Sequence, residues 1–304
     1  MSALKKFFKN KNKHKHWYYL APALLLVTVF NFYPLTKTFF ISLNHGYDKF
    51  TDVFSSSFNF NNYVTIFKDP DFRTALLNTF VLVFIAVPIS IFISLMISLA
   101  LNYVYNHFLK KLFQTVFFLP YLTNSVVMGM VFAVLFYHNI WDFKNSTEGL
   151  LSFSHNWISH SASYFNKMFI LIFYVVWRSL PFHILIFSVA LKNISKNYFD
   201  AARIDGATNL TIFKKITFPL ILPSVFYQVI ITMIQVFKEY ESVVGIFGAN
   251  ETKVNTIVGY IYHQASNPVL DSYSKGAAAT IILLLISIFF TLLNFHFMKK
   301  FNRE

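Results

Sequence analysis

Cysteine is absent from this 304-residue chain, so disulfide frameworks, thiolate metal sites and thiol chemistry are excluded. Charge is scarce: 13% of residues are charged, against about 25% in soluble domains. The eight glycines never fall into Gly-x-x-x-x-Gly-Lys-Ser/Thr, so the chain has no phosphate-cradling loop with which to hydrolyse ATP. There is no His-Glu-x-x-His and no nucleophile elbow, which argues against a membrane enzyme. What the chain has in excess is apolar surface. It is 56% hydrophobic, with 39 phenylalanines, and this places it among membrane proteins.

A helix needs about 20 mainly apolar residues to cross the hydrocarbon core. Six segments qualify: Trp17–Leu43, Thr74–Leu101, Leu112–Tyr137, Met168–Leu191, Ile216–Phe237 and Ala277–Met298. No Asp or Glu lies in any of them, which speaks against a proton-coupled secondary carrier. The first segment follows a basic run, as a signal peptide would, but no small-residue cleavage site follows Pro34. It is expected to stay as a span, with residues 1–16 as a basic cytoplasmic N-terminus and 17–304 as the transmembrane domain. His14-Lys15-His16 reads as a solvated tail, not a metal site.

The net charge of +13 would suggest nucleic acid on a soluble protein, but here its distribution matters more. The N-terminus, alternate loops and C-terminal tail carry sixteen basic residues against three acids (Asp200, Asp205 and Glu304). The opposite loops carry eight basic residues and ten acids. The positive-inside rule then puts both termini in the cytoplasm, with the 192–217 loop between the fourth and fifth spans. Lys37, near the outer end of its span, is expected to snorkel. Phe60–Ile66 reads as a short amphipathic helix, and Asp69-Pro70-Asp71 as a turn.

The stretch from Asp200 to Pro223 is polar and basic between two spans. Ser195 can cap a helix starting near Lys196, and Tyr198, Ala201, Ala202 and Asp205 share one face with a small, flat centre. Gly206 breaks the helix and permits a positive φ. Thr208 can cap a second short helix, Asn209–Lys215, before Pro219 and Pro223 mark a helix start or kink.

This pattern, Asp-Ala-Ala with Gly206 four residues on and Ile216-x-Phe-Pro219 ten residues later, resembles the cytoplasmic coupling loop of ABC-importer permeases. Asp200 stands where the family has Glu, and Phe218 where it has Leu. Leu20-Ala21-Pro22-Ala23, Tyr33-Pro34-Leu35, Asn62-Tyr63, Asp69-Pro70, Leu77-Asn78-Thr79, Leu180-Pro181-Phe182 and Tyr260-Ile261-Tyr262 extend the resemblance to the carbohydrate-type permeases. The family's Gly-Gly-Pro after the fifth span is replaced by Phe247-Gly248-Ala249-Asn250.

The resemblance implies an all-α, polytopic chain of six transmembrane helices with the type I ABC importer permease fold, in the bacterial cell membrane. It implies a second, related permease, two ATP-binding subunits that carry ATP and Mg, and an extracellular solute-binding protein. It also implies a sugar or oligosaccharide substrate, with glycerol phosphate or another anion as the alternative. No cofactor on this chain and no nucleic acid partner are expected. Asp200, Ala201, Ala202, Asp205, Gly206, Ala207, Phe213 and Pro223 would meet the ATPase, Asp200 through a salt bridge to an arginine.

Polar groups within spans are costly: an Arg at a helix centre costs about 2.5–3.5 kcal/mol on insertion scales. Asn124, Ser125, Trp177, Arg178, Gln228 and Gln235, with Glu239 and Tyr240 just past the fifth span, are therefore candidates for the substrate pathway. Planar polar groups and aromatic faces suit a sugar, although Asn and Gln also hydrogen-bond helices together. Arg178 is placed to pair either an anionic substrate or a carboxylate such as Glu239.

Overall fold

The computed structural model describes residues 15–54, 58–102, 107–136, 157–159, 161–269 and 271–301. Most of the basic N-terminal run, and much of the 138–167 connection, lie outside the described residues. The helices, in chain order, are α1 (Lys15–Val27), α2 (Tyr33–Leu43), α3 (Asn61–Lys68), α4 (Pro70–Asn102), α5 (His107–Phe118), α6 (Ser125–Phe136) and α7 (Tyr164–Lys192). They continue with α8 (Lys196–Ile204), α9 (Asn209–Ile212), α10 (Phe218–Phe237), α11 (Glu241–Phe247), α12 (Ile257–Ser266) and α13 (Ser272–Phe301). Among the described residues, extended pairing is limited to two isolated bridges, Asn44 with Phe58 and Asp48 with Val53.

Among the described residues, five helical stretches are long and apolar enough to cross a membrane: Tyr19–Leu43, Pro70–Asn102, Tyr164–Lys192, Asn209–Phe237 and Ser272–Lys300. At 25 to 33 residues they are longer than the hydrocarbon core requires, which favours tilt. The expected third span is not one helix. It divides into α5, a 3₁₀ turn over Leu119–Leu122, and α6. Pro120 has no N–H to continue the first piece, and Asn124 starts the second by accepting the N–H groups of Val126 (2.8 Å) and Val127 (3.4 Å). The Asp69-Pro70-Asp71 turn is likewise tighter than expected. Asp69 accepts the Asp71 N–H at 2.9 Å, and α4 begins at once with Pro70 in its first position.

Two π turns share one cause. Thr28–Phe32 joins α1 to α2, and Phe213–Thr217 joins α9 to α10. Each is followed by one residue and then a proline, Pro34 or Pro219. A proline ring collides with the carbonyl four residues earlier, and widening the turn before it relieves that contact. The second short helix therefore does not stop at Lys215 but runs into the following span.

The described residues fall into two compact units, drawn from Asp69–Tyr260 with Leu283–Glu304 and from Met1–Lys68 with Ile261–Ile282. In the larger unit, α4 packs along α7, and α10 lies against both. Ala86, Ser90, Ser94 and Ser98 recur at every fourth position of α4 and are buried. Such a small-residue stripe lets two helix backbones approach where lipid removes the usual hydrophobic drive. Ser98 donates to the Ile184 carbonyl of α7 at 3.2 Å. Phe80, Phe84, Phe237 and Phe290 form an aromatic cluster of mixed stacked, tilted and edge-to-face pairs, with ring centroids 5.6–6.2 Å apart.

The Asn78-Thr79 motif works as a fastener. Asn78 donates to the carbonyls of Lys253 (3.0 Å) and Asn255 (2.9 Å) and accepts from Tyr164, while Thr79 accepts the Ile257 N–H. Beside it lies a buried ion pair that loop composition does not reveal. Lys167 and Glu251 approach to 2.5 Å, with side chains 1% and 4% exposed. Gly248, at φ +89°, turns the chain out of α11 where the family's Gly-Gly-Pro is replaced.

In the smaller unit, Asn62 caps the end of α2 by donating to the carbonyls of Ser42 and Asn44, each at 3.0 Å. Lys37 pairs with Asp52 at 2.9 Å. Tyr47 donates to the same carboxylate at 2.5 Å. Those two hydrogen bonds hold the Asp52 carboxyl below the usual carboxylate range, and burial, helped by Asp52, pushes the Tyr47 hydroxyl up to about 12.

Candidate functional site

The first candidate is the elbow formed by α8 and α9. Ser195 caps α8 by accepting the Asn197 N–H. The helix ends as the residues dictate. The Gly206 N–H bonds the Arg203 carbonyl at 3.0 Å and the Ala207 N–H bonds the Ala202 carbonyl at 2.9 Å. This double closure is a Schellman motif, and it requires the left-handed φ of +73° that Gly206 supplies. Thr208 then caps α9 through the Thr211 N–H at 3.3 Å.

The elbow's surface is largely polar but leaves three large apolar side chains bare. Ile204 is 87% exposed, Leu210 62% and Tyr198 57%. Asp200, Ala201, Asp205 and Pro223 are exposed too, whereas Ala207 and Phe213 are half-buried. Ala202 is turned inward, so the flat centre expected from two adjacent alanines reduces to Ala201. From Asn209 the chain is helical without interruption to Phe237, so elbow and span are mechanically one rod of about 44 Å.

The second candidate lies at the far end of that rod. A cavity of about 500 Å³ is lined by Tyr121, Arg178, Phe182, Gln235, Lys238, Glu239 and Glu241, with His183 and Thr232 at its wall. Arg178 projects from α7, near Pro181. Its guanidinium lies 3.9 Å from the Glu239 carboxylate and 3.8 Å from that of Glu241. Glu239 is held from behind, its Oε1 accepting both the N–H (3.0 Å) and the hydroxyl (2.5 Å) of Ser242. The rings of Tyr121 and Phe182 stack at 6.0 Å, 20° from parallel.

The carboxylates are aimed by a close helix crossing. α11 packs on α6, and a Cβ on Gly129 would stand 2.9 Å from the Gly245 Cα, while one on Gly245 would stand 2.7 Å from the Val126 carbonyl. Only two glycines allow that approach.

The fold thus gathers Arg178, Gln235 and Glu239 around one cavity. Ser125 is buried, with its carbonyl accepting Tyr174 Oη at 2.7 Å. Trp177 packs on Phe132 at 5.0 Å. Asn124 is the α6 cap, and Tyr240 precedes α11. Gln228 is fully buried, with neither amide atom hydrogen-bonded, one turn beyond Thr232, which bonds His183 at 2.6 Å. Gln228, Thr232, Gln235 and Glu239 form a polar line on one side of α10 and its extension. Glu241, Tyr121 and Phe182 are cavity residues that sequence reasoning missed. Thr232 is the member of that line that sequence reasoning missed, and its four-residue spacing from Gln228 was the available signal.

Residues 90–303 match the family described as the binding-protein-dependent transport system inner membrane component. The arabinooligosaccharides transport system permease protein AraP of Bacillus subtilis (strain 168) is 29% identical over 94% of this chain and 89% of its own length. The lactose transport system permease protein LacF of Rhizobium radiobacter is 27% identical over 97% and 96%. The sn-glycerol-3-phosphate transport system permease protein UgpA of Escherichia coli (strain UTI89 / UPEC) is 25% identical over 92% of each chain. A bacterial ABC transporter involved in the import of the acidic polysaccharide alginate contains a chain of the same fold, with a TM-score of 0.74 at 20% identity, covering 97% of this chain and 99% of that one. The all-α, multi-pass architecture, the elbow and the match over most of the chain agree: this protein belongs to the family of binding-protein-dependent transport system inner membrane components, as an ABC importer permease.

Proposed function

We propose that this chain forms half of the pathway of an ATP-driven importer for a sugar or oligosaccharide, with a second related permease as the other half. Two cytoplasmic ATPase subunits, which carry ATP and Mg, dock on the elbows, and an extracellular solute-binding protein delivers the substrate. The observation that carries this reading is the continuous helix from the elbow to the cavity. Apolar residues left bare at Tyr198, Ile204 and Leu210 ask for a protein partner, and a stiff rod passes that partner's rotation to the far end. The excess of basic residues on the elbow's side of the membrane supports a cytoplasmic elbow, hence cytoplasmic termini. Asp200, Asp205 and Ala201 form the docking edge around Gly206, and Ala202, Ala207, Phe213 and Pro223 shape it. The pathway runs past Arg178, Gln235 and Glu239 toward Gln228, with Asn124, Ser125, Trp177 and Tyr240 supporting its wall.

Affinity purification of the tagged protein from its native membrane tests the reading. Recovery of a second permease, an ATPase and a solute-binding protein is expected. Recovery of this chain alone, competent for transport without ATP, would make it a secondary carrier.

A further inference from the structure

The named relatives divide between neutral sugars and an anion, and the charges around the cavity separate the two. We infer that this cavity selects an uncharged, hydroxyl-rich solute over an anionic one, an inference that rests on the importer reading above. Arg178 and Lys238 bring two positive charges to the lining, and Glu239 and Glu241 bring two negative ones, so the formal charges cancel. Arg178 is not free to receive an anion, because a carboxylate stands on each side of it, at 3.9 and 3.8 Å. Those gaps exceed a direct hydrogen bond, so the donors and acceptors face each other unspent. A guanidinium only donates and a carboxylate only accepts; a hydroxyl does both and can bridge them. A phosphate or carboxylate ligand only accepts, so it would satisfy Arg178 while confronting Glu239 and Glu241.

Glu239 cannot easily withdraw, and the backbone that carries Glu241 is fixed. Glu239 is tied by Ser242, and Glu241 opens the helix that Gly245 clamps to Gly129. The flat Tyr121–Phe182 pair completes the cavity with the aromatic surface on which the C–H face of a sugar ring packs.

The test uses the importer complex purified from membranes without its solute-binding protein. Saturation-transfer NMR would compare arabinotriose with sn-glycerol 3-phosphate. The wild type is expected to bind arabinotriose tighter by about tenfold or more, the size of a like-charge penalty at a partly open site. Glu241→Gln, at a position 60% exposed and safe for folding, should narrow that ratio. Glu239→Gln combined with Glu241→Gln should erase or invert it, with the melting temperature and retained ATPase as folding controls. Equal or tighter phosphate binding by the wild type, an unchanged ratio in both variants, or no binding of either probe would overturn the inference. Any of these in a complex that still contains its ATPase leaves the importer reading standing. A preparation without any ATPase, yet able to transport, sinks the importer reading instead.

Discussion

The elbow and the cavity sit at opposite ends of one helix and are built in opposite ways. Every bond that shapes the elbow joins residues within five positions of each other, from the Ser195 cap to the Ala207–Ala202 closure. The cavity draws on Tyr121, Arg178, Gln235 and Glu241, which come from four parts of the chain and meet only after helices have packed. The elbow has a fixed shape and three bare apolar side chains, as suits a part completed by another protein. The cavity end is buttressed from within, by a buried ion pair, a glycine–glycine crossing and the Asn78 fastener. Local construction makes a shape that survives alone; non-local construction makes a site that fails when its supports fail.

The sharpest break should come at a support of the cavity end. Lys167→Met leaves Glu251 buried without its counter-charge and should destabilise the protein by about 3–5 kcal/mol. Adding Glu251→Leu should recover much of this, read as a melting temperature in detergent; equal losses in the single and double variants would show that the pair is not the support.

The two glycines come next, and they fail differently. Gly245→Val drives a side chain into the backbone of α6 and should cost about 1–3 kcal/mol of global stability, lowering the melting temperature and uptake together. Gly206→Val meets nothing within 4 Å, so its cost is the left-handed backbone alone, about 1–2 kcal/mol confined to the elbow. Uptake should collapse while melting and membrane insertion hold, and Gly206→Asn should keep more activity than Gly206→Val because Asn tolerates that conformation. Unchanged uptake in Gly206→Val would remove the elbow from the mechanism. Asp200→Lys probes the same surface more gently: less ATPase should co-purify, at unchanged yield of the permease.

The smallest effect is expected in the smaller unit, where the hairpin carrying Asp48, Asp52 and Tyr47 is again locally bonded. The Asp52 carboxyl is held low by Tyr47 and Lys37. Its contribution is therefore present above the ordinary Asp value of about 3.9 and is lost as pH falls below it, through the depressed folded value. Corrected for the intrinsic pH dependence of amide exchange, the protection of residues 44–53 should fall in acid for the wild type and vary less from about pH 3 to 6 (roughly the carboxylate range) in Asp52→Asn, where Asp48 is the hairpin carboxyl that still titrates. A wild-type profile as flat as the variant's would discard the contact.

The elbow was legible because caps and helix stops are written in adjacent residues. Ser195, Gly206 and Thr208 each do what their chemistry allows within a single turn. Spans were legible for a similar reason, since length and apolarity are summed along the chain. The third span defeated that sum, because hydropathy averages over Pro120 and Asn124 while hydrogen bonding does not. The pairings of Lys37 and Lys167 were not legible because their carboxylate partners lie 15 and 84 positions away. The role of Ala202 was half read: spacing put it on the elbow's face, but only packing could decide which side of that face turned inward.

By itself, then, the sequence determined a multi-pass, all-helical membrane protein, its basic side and a glycine-hinged elbow, because periodicity, charge counting and capping need only neighbours. The tertiary structure alone decided that Arg178 stands between Glu239 and Glu241, that two glycines bring the second of these there, and that Gln228 lies sealed below. Those arrangements depend on which helices touch, and contact between distant segments is settled by packing complementarity over the whole fold, which no local stretch of sequence contains.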